Sequence, residues 1–172
     1  MTPHEARAVV NVIGTQLQHE WMTTVKVLEA IPEGNKDWKP EDKARSAWDL
    51  AVHLAGADIW FLNAILDGKF TNDPDGDATL KAAAPTPAKL ADWYKHEFPK
   101  KLEHVLALPD HKFTEIIDFH GMKNPAIVYL SFCLVHGVHH RGQLSTYLRP
   151  MGGKVPAIYG GSADEPFPGV PA

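Results

Sequence analysis

The sequence predicts an all-α protein, a bundle of four long helices. Three features carry that expectation. Four segments of roughly twenty residues place apolar side chains at helical intervals. Each opens on a recognisable start signal. Proline- and glycine-rich connections separate them. A chain of 172 residues is one domain on ordinary size grounds, with enough buried surface for one continuous core. The competing class is α+β, in which the connectors would pair as strands.

The first helix opens at Thr2-Pro3-His4-Glu5. Thr2 can cap, Pro3 suits the first helical position and Glu5 completes a capping box. Val9, Val12, Ile13, Leu17, Trp21, Val25 and Leu28 follow with helical period, and Pro32 and Gly34 stop the run. The second opens at Ser46-Ala47-Trp48-Asp49, again a cap with an acid three residues on. Its stripe is Leu50, His53, Leu54, Ala57, Phe61, Ile65 and Leu66, and Gly68 ends it.

Residues 67–86 read as a loop, with Asp73-Pro74-Asp75-Gly76 as a turn. Thr86-Pro87 opens the third helix, carried by Leu90, Trp93, Tyr94, Phe98, Leu102, Val105, Leu106 and Leu108. Pro99 sits inside it and is expected to kink it. Phe113 to Gly121 is ambiguous, and Ile116 and Ile117 suit a short extended connector. Asn124-Pro125 opens the fourth helix, which runs through Ile127, Leu130, Leu134, Leu144, Tyr147 and Leu148 to Pro150. The long connections after the first two helices permit a crossover topology. The expected division is a bundle over residues 1–156 and an irregular tail over 157–172, where Pro and Gly are frequent.

Composition narrows the function classes. The apolar share of 44% and charged share of 22% suit a globular chain rather than a disordered one. A formal charge of −4 gives no basic field for nucleic acid. The N-terminus lacks the pattern of a signal peptide, and no run of apolar residues suggests a membrane span. The cytoplasm is the expected compartment. The unusual entries are ten histidines against a single cysteine. One cysteine forms no internal disulfide and excludes a multi-thiolate zinc site. A metal site here would be built from imidazole.

His136 and His140 stand four apart on the fourth helix, so both lie on one face, one turn apart. Two imidazoles so placed can bind one divalent first-row ion. A half-exposed polar face is the other reading of the pair. His53 lies mid-helix in the apolar run Leu50-Ala51-Val52-His53-Leu54-Ala55. A histidine pointing into a core needs a partner for each ring nitrogen. A metal ion supplies one; a backbone carbonyl is the alternative. Three histidines from two facing helices would leave an open coordination position, the pattern of a catalytic metal rather than a structural one. His139 points about 100° from His140 and would flank the site or bond a neighbouring helix. His19 on the first helix is not excluded from the pocket. His4, His96, His104, His111 and His120 read as solvated surface.

The run His136-Gly137-Val138-His139-His140-Arg141-Gly142-Gln143-Leu144, followed by Tyr147-Leu148-Arg149-Pro150-Met151-Gly152-Gly153-Lys154-Val155-Pro156, resembles the C-terminal signature of the DinB/YfiT-like superfamily. The segment from Lys43 to Leu54 resembles the entry to that family's second helix. The resemblance implies an up-down-down-up four-helix bundle, often a homodimer. It implies a divalent metal, zinc or nickel, on three histidines, which by position are His53, His136 and His140. It does not supply a reaction. Relatives include thiol-dependent transferases and isomerases that use bacillithiol or mycothiol, proteins labelled metal-dependent hydrolases, and members induced by DNA damage.

The neighbours of this trio have two readings each. Asp49 is four residues before His53 and is either an acceptor behind the site or only part of the helix cap, the latter preferred. Gln143 lines the pocket or fixes the bundle. Tyr147 is core or pocket rim. Arg141 pairs with an acid or another subunit, Gly142 permits close helix packing, and Cys133 is a small buried residue rather than a nucleophile. Two function classes follow. One is an enzyme acting on a small molecule, a thiol S-transferase or a hydrolase. The absence of an obvious carboxylate base beside the histidines favours thiol activation. The other is a stress-response binding protein with a structural or vestigial metal site.

Overall fold

The computed structural model describes residues 1–166. Helix α1 spans Pro3–Glu29, α2 Ala47–Asp67, α3 Gly76–Ala83, α4 Pro87–Leu106 and α5 Ala126–Leu148. Strands β1 (Ile116–Phe119) and β2 (Met122–Pro125) form an antiparallel pair. The fold is a helical bundle, as the periodicity predicts.

Local chemistry fixes the helix ends. The Glu5 amide donates to the Thr2 hydroxyl at 3.3 Å, and the Thr2 amide donates to the Glu5 carboxylate at 2.7 Å. These two bonds satisfy donors that a helix start leaves orphaned. The Ser46 hydroxyl accepts from the Asp49 amide at 3.0 Å. Gly68 closes α2 at φ 68°, a left-handed position that favours glycine. Helix α4 runs unbroken through Pro99.

The buried stripe of α1 is Ala6, Val10, Ile13 and Leu17, not the Val9 and Val12 that also fit the period. Val12 is 61% exposed, because a helical period alone does not say which of two adjacent stripes faces inward. Helix α2 is the central element. Leu50, Ala51, Val52, Leu54, Ala55, Leu62 and Ile65 are all buried, on several sides of the helix. It is long and apolar enough to cross a membrane by length and composition, yet it is the core helix of the bundle.

Contacts between helices set the topology. Each of α1 and α2 packs on both α4 and α5, so consecutive helices α1 and α2 stand diagonally across the bundle. Arg7, at the start of α1, bonds the Leu106 carbonyl at the end of α4, so these two run antiparallel. Arg141, late in α5, reaches Glu20 and Thr24, late in α1, so those two run parallel. On α2 and α5 the partners run in opposite order, His53 with His140 and Phe61 with Phe132. The order is therefore up-down-down-up for α1, α2, α4 and α5.

Two connectors depart from expectation. Residues 76–83, expected within a loop, form α3, and its Leu80 is buried against the core. Eight residues with one apolar anchor are too short for periodicity to register, and tertiary burial rather than propensity stabilises them. The ambiguous stretch from Phe113 forms a hairpin whose turn residues, His120 and Gly121, have φ 50° and 89°. Both central residues at positive φ define the tight turn that matches strand twist. Strand pairing therefore occurs in one connector, within a helical fold.

Beyond α5, residues 157–166 hold no helix or strand. They still pack: the Tyr159 hydroxyl donates to the Glu20 carboxylate at 3.0 Å and accepts from Arg141. The rest of the expected tail lies outside the described residues.

Candidate metal centre

The bundle brings His53, on α2, to face His136 and His140, on α5. Ring centroids are 5.2 Å apart for His53–His136, 4.8 Å for His53–His140 and 4.3 Å for His136–His140. One nitrogen from each ring lies within 4.8 Å of the others. Nitrogens on one tetrahedral zinc ion stand about 3.4 Å apart, so modest side-chain rotation closes the set. All three rings are partly buried.

Two of the three rings have a defined second nitrogen or a reason to want a partner. The His140 Nδ1 lies 2.7 Å from Gln143 Oε1. With the amide oxygen as acceptor, Nδ1 carries the proton and Nε2 is left as the free lone pair. The His136 Nδ1 is buried and has no hydrogen-bond partner. A buried polar atom without a partner is rare, and a bound ion or water is the usual resolution. Three neutral nitrogen donors and an orphaned buried nitrogen fit a borderline divalent cation.

The electrostatics keep the rings neutral. Burial lowers the His136 pKa to about 4, helped by the neighbouring His140 and His53. Burial also lowers the pKa of His53, with Arg45 and His140 adding to the effect and Asp77 opposing it. The His140 pKa is lowered by burial, against the hydrogen bond to Gln143. A lone pair not held by a proton is one that can bind a metal.

The other residues singled out from the sequence fall as follows. Gln143 contacts the trio through His140. The His139 ring centroid is 4.8 Å from that of His140, but His139 is exposed. Asp49 serves the helix cap and an ion pair with Lys81, which turns its carboxylate to other work. Tyr147 packs edge-on to Trp38 at 5.3 Å, half-buried. Cys133 is fully buried, and burial with Asp58 nearby raises its thiol pKa well above the ordinary value. Arg141 is buried and pairs with Glu20 of the same chain. His19 is exposed, as are the five isolated histidines, and none of the six belongs to the cluster. Gly142 has open space around it; the close approach is at Gly137, where a Cβ would stand 3.3 Å from the Asp58 carboxylate.

Sequence reasoning missed three groups. Asp58 is 3% exposed and accepts from the Tyr94 hydroxyl at 2.8 Å. Burial raises its carboxyl pKa to about 7, against the Tyr94 bond and Arg141. Its position in the apolar face of α2 was a readable signal. Phe119 and Asp77 were not readable, because the hairpin and α3 that carry them were not. Both line a cavity of about 770 Å³ that opens beside His53 and His136. A smaller concavity of about 390 Å³ between α1 and α4, against Trp21 and Phe98, contains no histidine.

Fold and site together define a helical bundle with an imidazole trio at the edge of an apolar cavity. The chain belongs to the DinB family, whose profile matches residues 11–167. It is 36% identical over 97 residues to the uncharacterized protein YrdA of Bacillus subtilis, an alignment spanning 52% of this chain and 58% of YrdA. It is 25% identical over 139 residues to YjoA of the same organism, 79% of this chain and 86% of YjoA. The crystal structure of YjoA, a DinB-like protein, superposes with a TM-score of 0.65 at 22% identity, covering 90% of this chain and 96% of that one. A DinB-like protein from Bacillus cereus gives 0.68 at 23% identity, covering 83% and 92%. These likenesses establish the fold.

Proposed function

We propose that His53, His136 and His140 hold a divalent cation, zinc or nickel, and that the protein is a metal-dependent enzyme for a small molecule, a thiol S-transferase or a hydrolase. The observation that carries the reading is the convergence of three neutral imidazoles from two helices with the buried His136 Nδ1 unpartnered. Three protein ligands leave a fourth position for a reactant, which separates a catalytic from a structural site. A bound ion would supply Lewis acidity, lowering the pKa of a thiol or water.

The chain's own residues do the rest. Gln143 fixes the tautomer of His140. The buried Phe61 ring packs edge-on to His136 at 5.5 Å and covers one side of the trio. Among the described residues no carboxylate hydrogen-bonds or ion-pairs with the three rings, Asp77 acting on His53 only through its charge, and Cys133 is sealed in the core. A nucleophilic thiol would therefore come from a low-molecular-weight cosubstrate, which favours transfer over hydrolysis. A reducing cytoplasm and a homodimer accompany this reading, with no role for nucleic acid or membrane. The alternative is a stress-response binding protein with a structural or vestigial metal.

The test is metal analysis of protein purified without a histidine tag, followed by thiol consumption against a panel of electrophiles. One equivalent of zinc or nickel, lost in His140→Ala, with turnover lost in parallel, is expected. Stoichiometric metal without turnover on any electrophile or ester would favour the binding protein. No metal in the wild type would end the reading.

A further inference from the structure

The cavity beside the histidines narrows the class of ligand, an inference that rests on the reading above. His53, Gly56, Ala57 and Trp60 stand at i, i+3, i+4 and i+7 on α2, so they share one face of it. At the α-helical rise, His53 and Trp60 lie about 10.5 Å apart along the axis. Between these two ends that strip carries nothing larger than a methyl group, with Ile59 and Phe61 flanking it. A Cβ added to Gly56 would meet Leu80 at 3.5 Å and the Asp77 carboxylate at 3.8 Å. Helix α3 therefore walls the floor with one apolar and one acidic side chain.

The far wall is aromatic. Phe132 lies 6.3 Å from His136, and Phe119 stands edge-on to Trp60 at 5.6 Å. The Trp60 indole N–H is already spent on the Thr71 carbonyl at 2.7 Å, so the ring offers the cavity an apolar surface. A volume of about 770 Å³ suits a small molecule. Among the described residues that line it there is no lysine or arginine, and the charged ones are Asp73 and Asp77. Asp73 is occupied with the Asp75 amide, whereas Asp77 makes no side-chain bond to the described residues.

We propose that this cavity binds a flat apolar ring system, laid on the Gly56–Ala57 floor between His53 and Trp60, with an uncharged or positively charged substituent beside Asp77. A planar group fits a floor without side chains, and aromatic faces favour offset or edge contacts with it. An anion at the Asp77 end would meet two carboxylates with no lysine or arginine in the wall, and only an ion held on the histidines at the other end would attract it.

The experiment is calorimetric titration of the full-length protein in chelator, so that no divalent ion beside His53 and His136 attracts the sulfonate, with three probes sharing one ring. They are 2-naphthylmethanol, (2-naphthylmethyl)trimethylammonium, which cannot ligate a metal, and 2-naphthylmethanesulfonate. The ammonium is expected to bind about tenfold tighter than the sulfonate. Asp77→Asn should shrink that ratio at least about threefold and leave the alcohol nearly unchanged. Gly56→Leu, which fills the floor, should weaken all three about tenfold or more. Trp60→Ala, with melting temperatures checked, provides a second variant should Gly56→Leu fold poorly. Equal or tighter binding of the sulfonate, an unchanged ratio in Asp77→Asn, or no binding of any probe would overturn the inference. Metal content of the same protein before chelation separates the two readings. Metal retained with the wrong probe order overturns only this one; metal absent with the expected order overturns only the metal centre.

Discussion

The Nδ1 nitrogen of His140 lies 2.7 Å from the Oε1 oxygen of Gln143, three residues further along α5. That spacing puts both side chains on one helix face, so the partner of His140 is set by the same helical repeat that pairs His140 with His136. It fixes the tautomer of His140 and leaves Nε2 free. Gln143→Ala is expected to weaken zinc affinity about 10- to 100-fold with all three histidines intact. Gln143→Glu, which keeps an acceptor, should lose less. Competition against a chelating dye measures both.

Removal of the metal should be legible in stability. Binding to the folded state alone adds about 2.7 kcal/mol at a hundredfold excess over the dissociation constant. A chelator is therefore expected to lower the melting temperature of the wild type and to leave His53→Ala and His140→Ala where they were. An identical chelator shift in the variants would place the metal elsewhere.

His136 gives the metal-free protein an acid-side dependence. Its pKa falls from the ordinary 6.5 to about 4, chiefly through burial. As pH drops below 6.5 the unfolded chain takes up a proton that the folded chain refuses, so stability falls with acidification until about pH 4. In chelator, urea midpoints between pH 7.5 and 5 should decline more steeply for the wild type than for His136→Ala.

Asp58 has the opposite sign. Its carboxyl pKa rises from 3.8 to about 7, mainly because it is buried. Between those values the folded state keeps a proton that the unfolded chain has lost, so stability falls as pH rises through the window. Asp58→Asn removes the dependence. Its melting temperature relative to wild type should therefore climb from pH 5 to pH 8; a constant difference would mean that Asp58 does not titrate there.

Arg141 is 1% exposed and pairs with Glu20 on α1 while bonding Tyr159 beyond α5. Truncating it leaves the partly buried Glu20 carboxylate with only the Tyr159 hydroxyl and removes one of the bonds that hold the C-terminal segment. Arg141→Ala is expected to cost about 3 kcal/mol, the lower end for a buried pair because Glu20 keeps some solvent. Denaturant midpoints measure the loss, and faster proteolysis near Tyr159 should accompany it.

The sequence by itself determined the four long helices, the caps of α1, α2 and α4 and the His136–His140 pair, because helical period, capping and i, i+4 spacing are local quantities; that His53 faces the pair, and that Asn124-Pro125 ends β2 instead of capping α5, the packing decided. Ser46 and Gly68 end α2 through bonds and dihedrals that depend on the adjacent few residues. His136 and His140 share a face on any helix. Only the tertiary structure decided which stripe of α1 turns inward, that Gly137 rather than Gly142 is the close contact, and that Asp49 serves Lys81 and the cap instead of His53. It also decided the cavity. Phe119 and Asp77 line it together with His53, brought there by a hairpin and an eight-residue helix. Elements that short draw their stability from what they are packed against, and that information lies in residues far away along the chain.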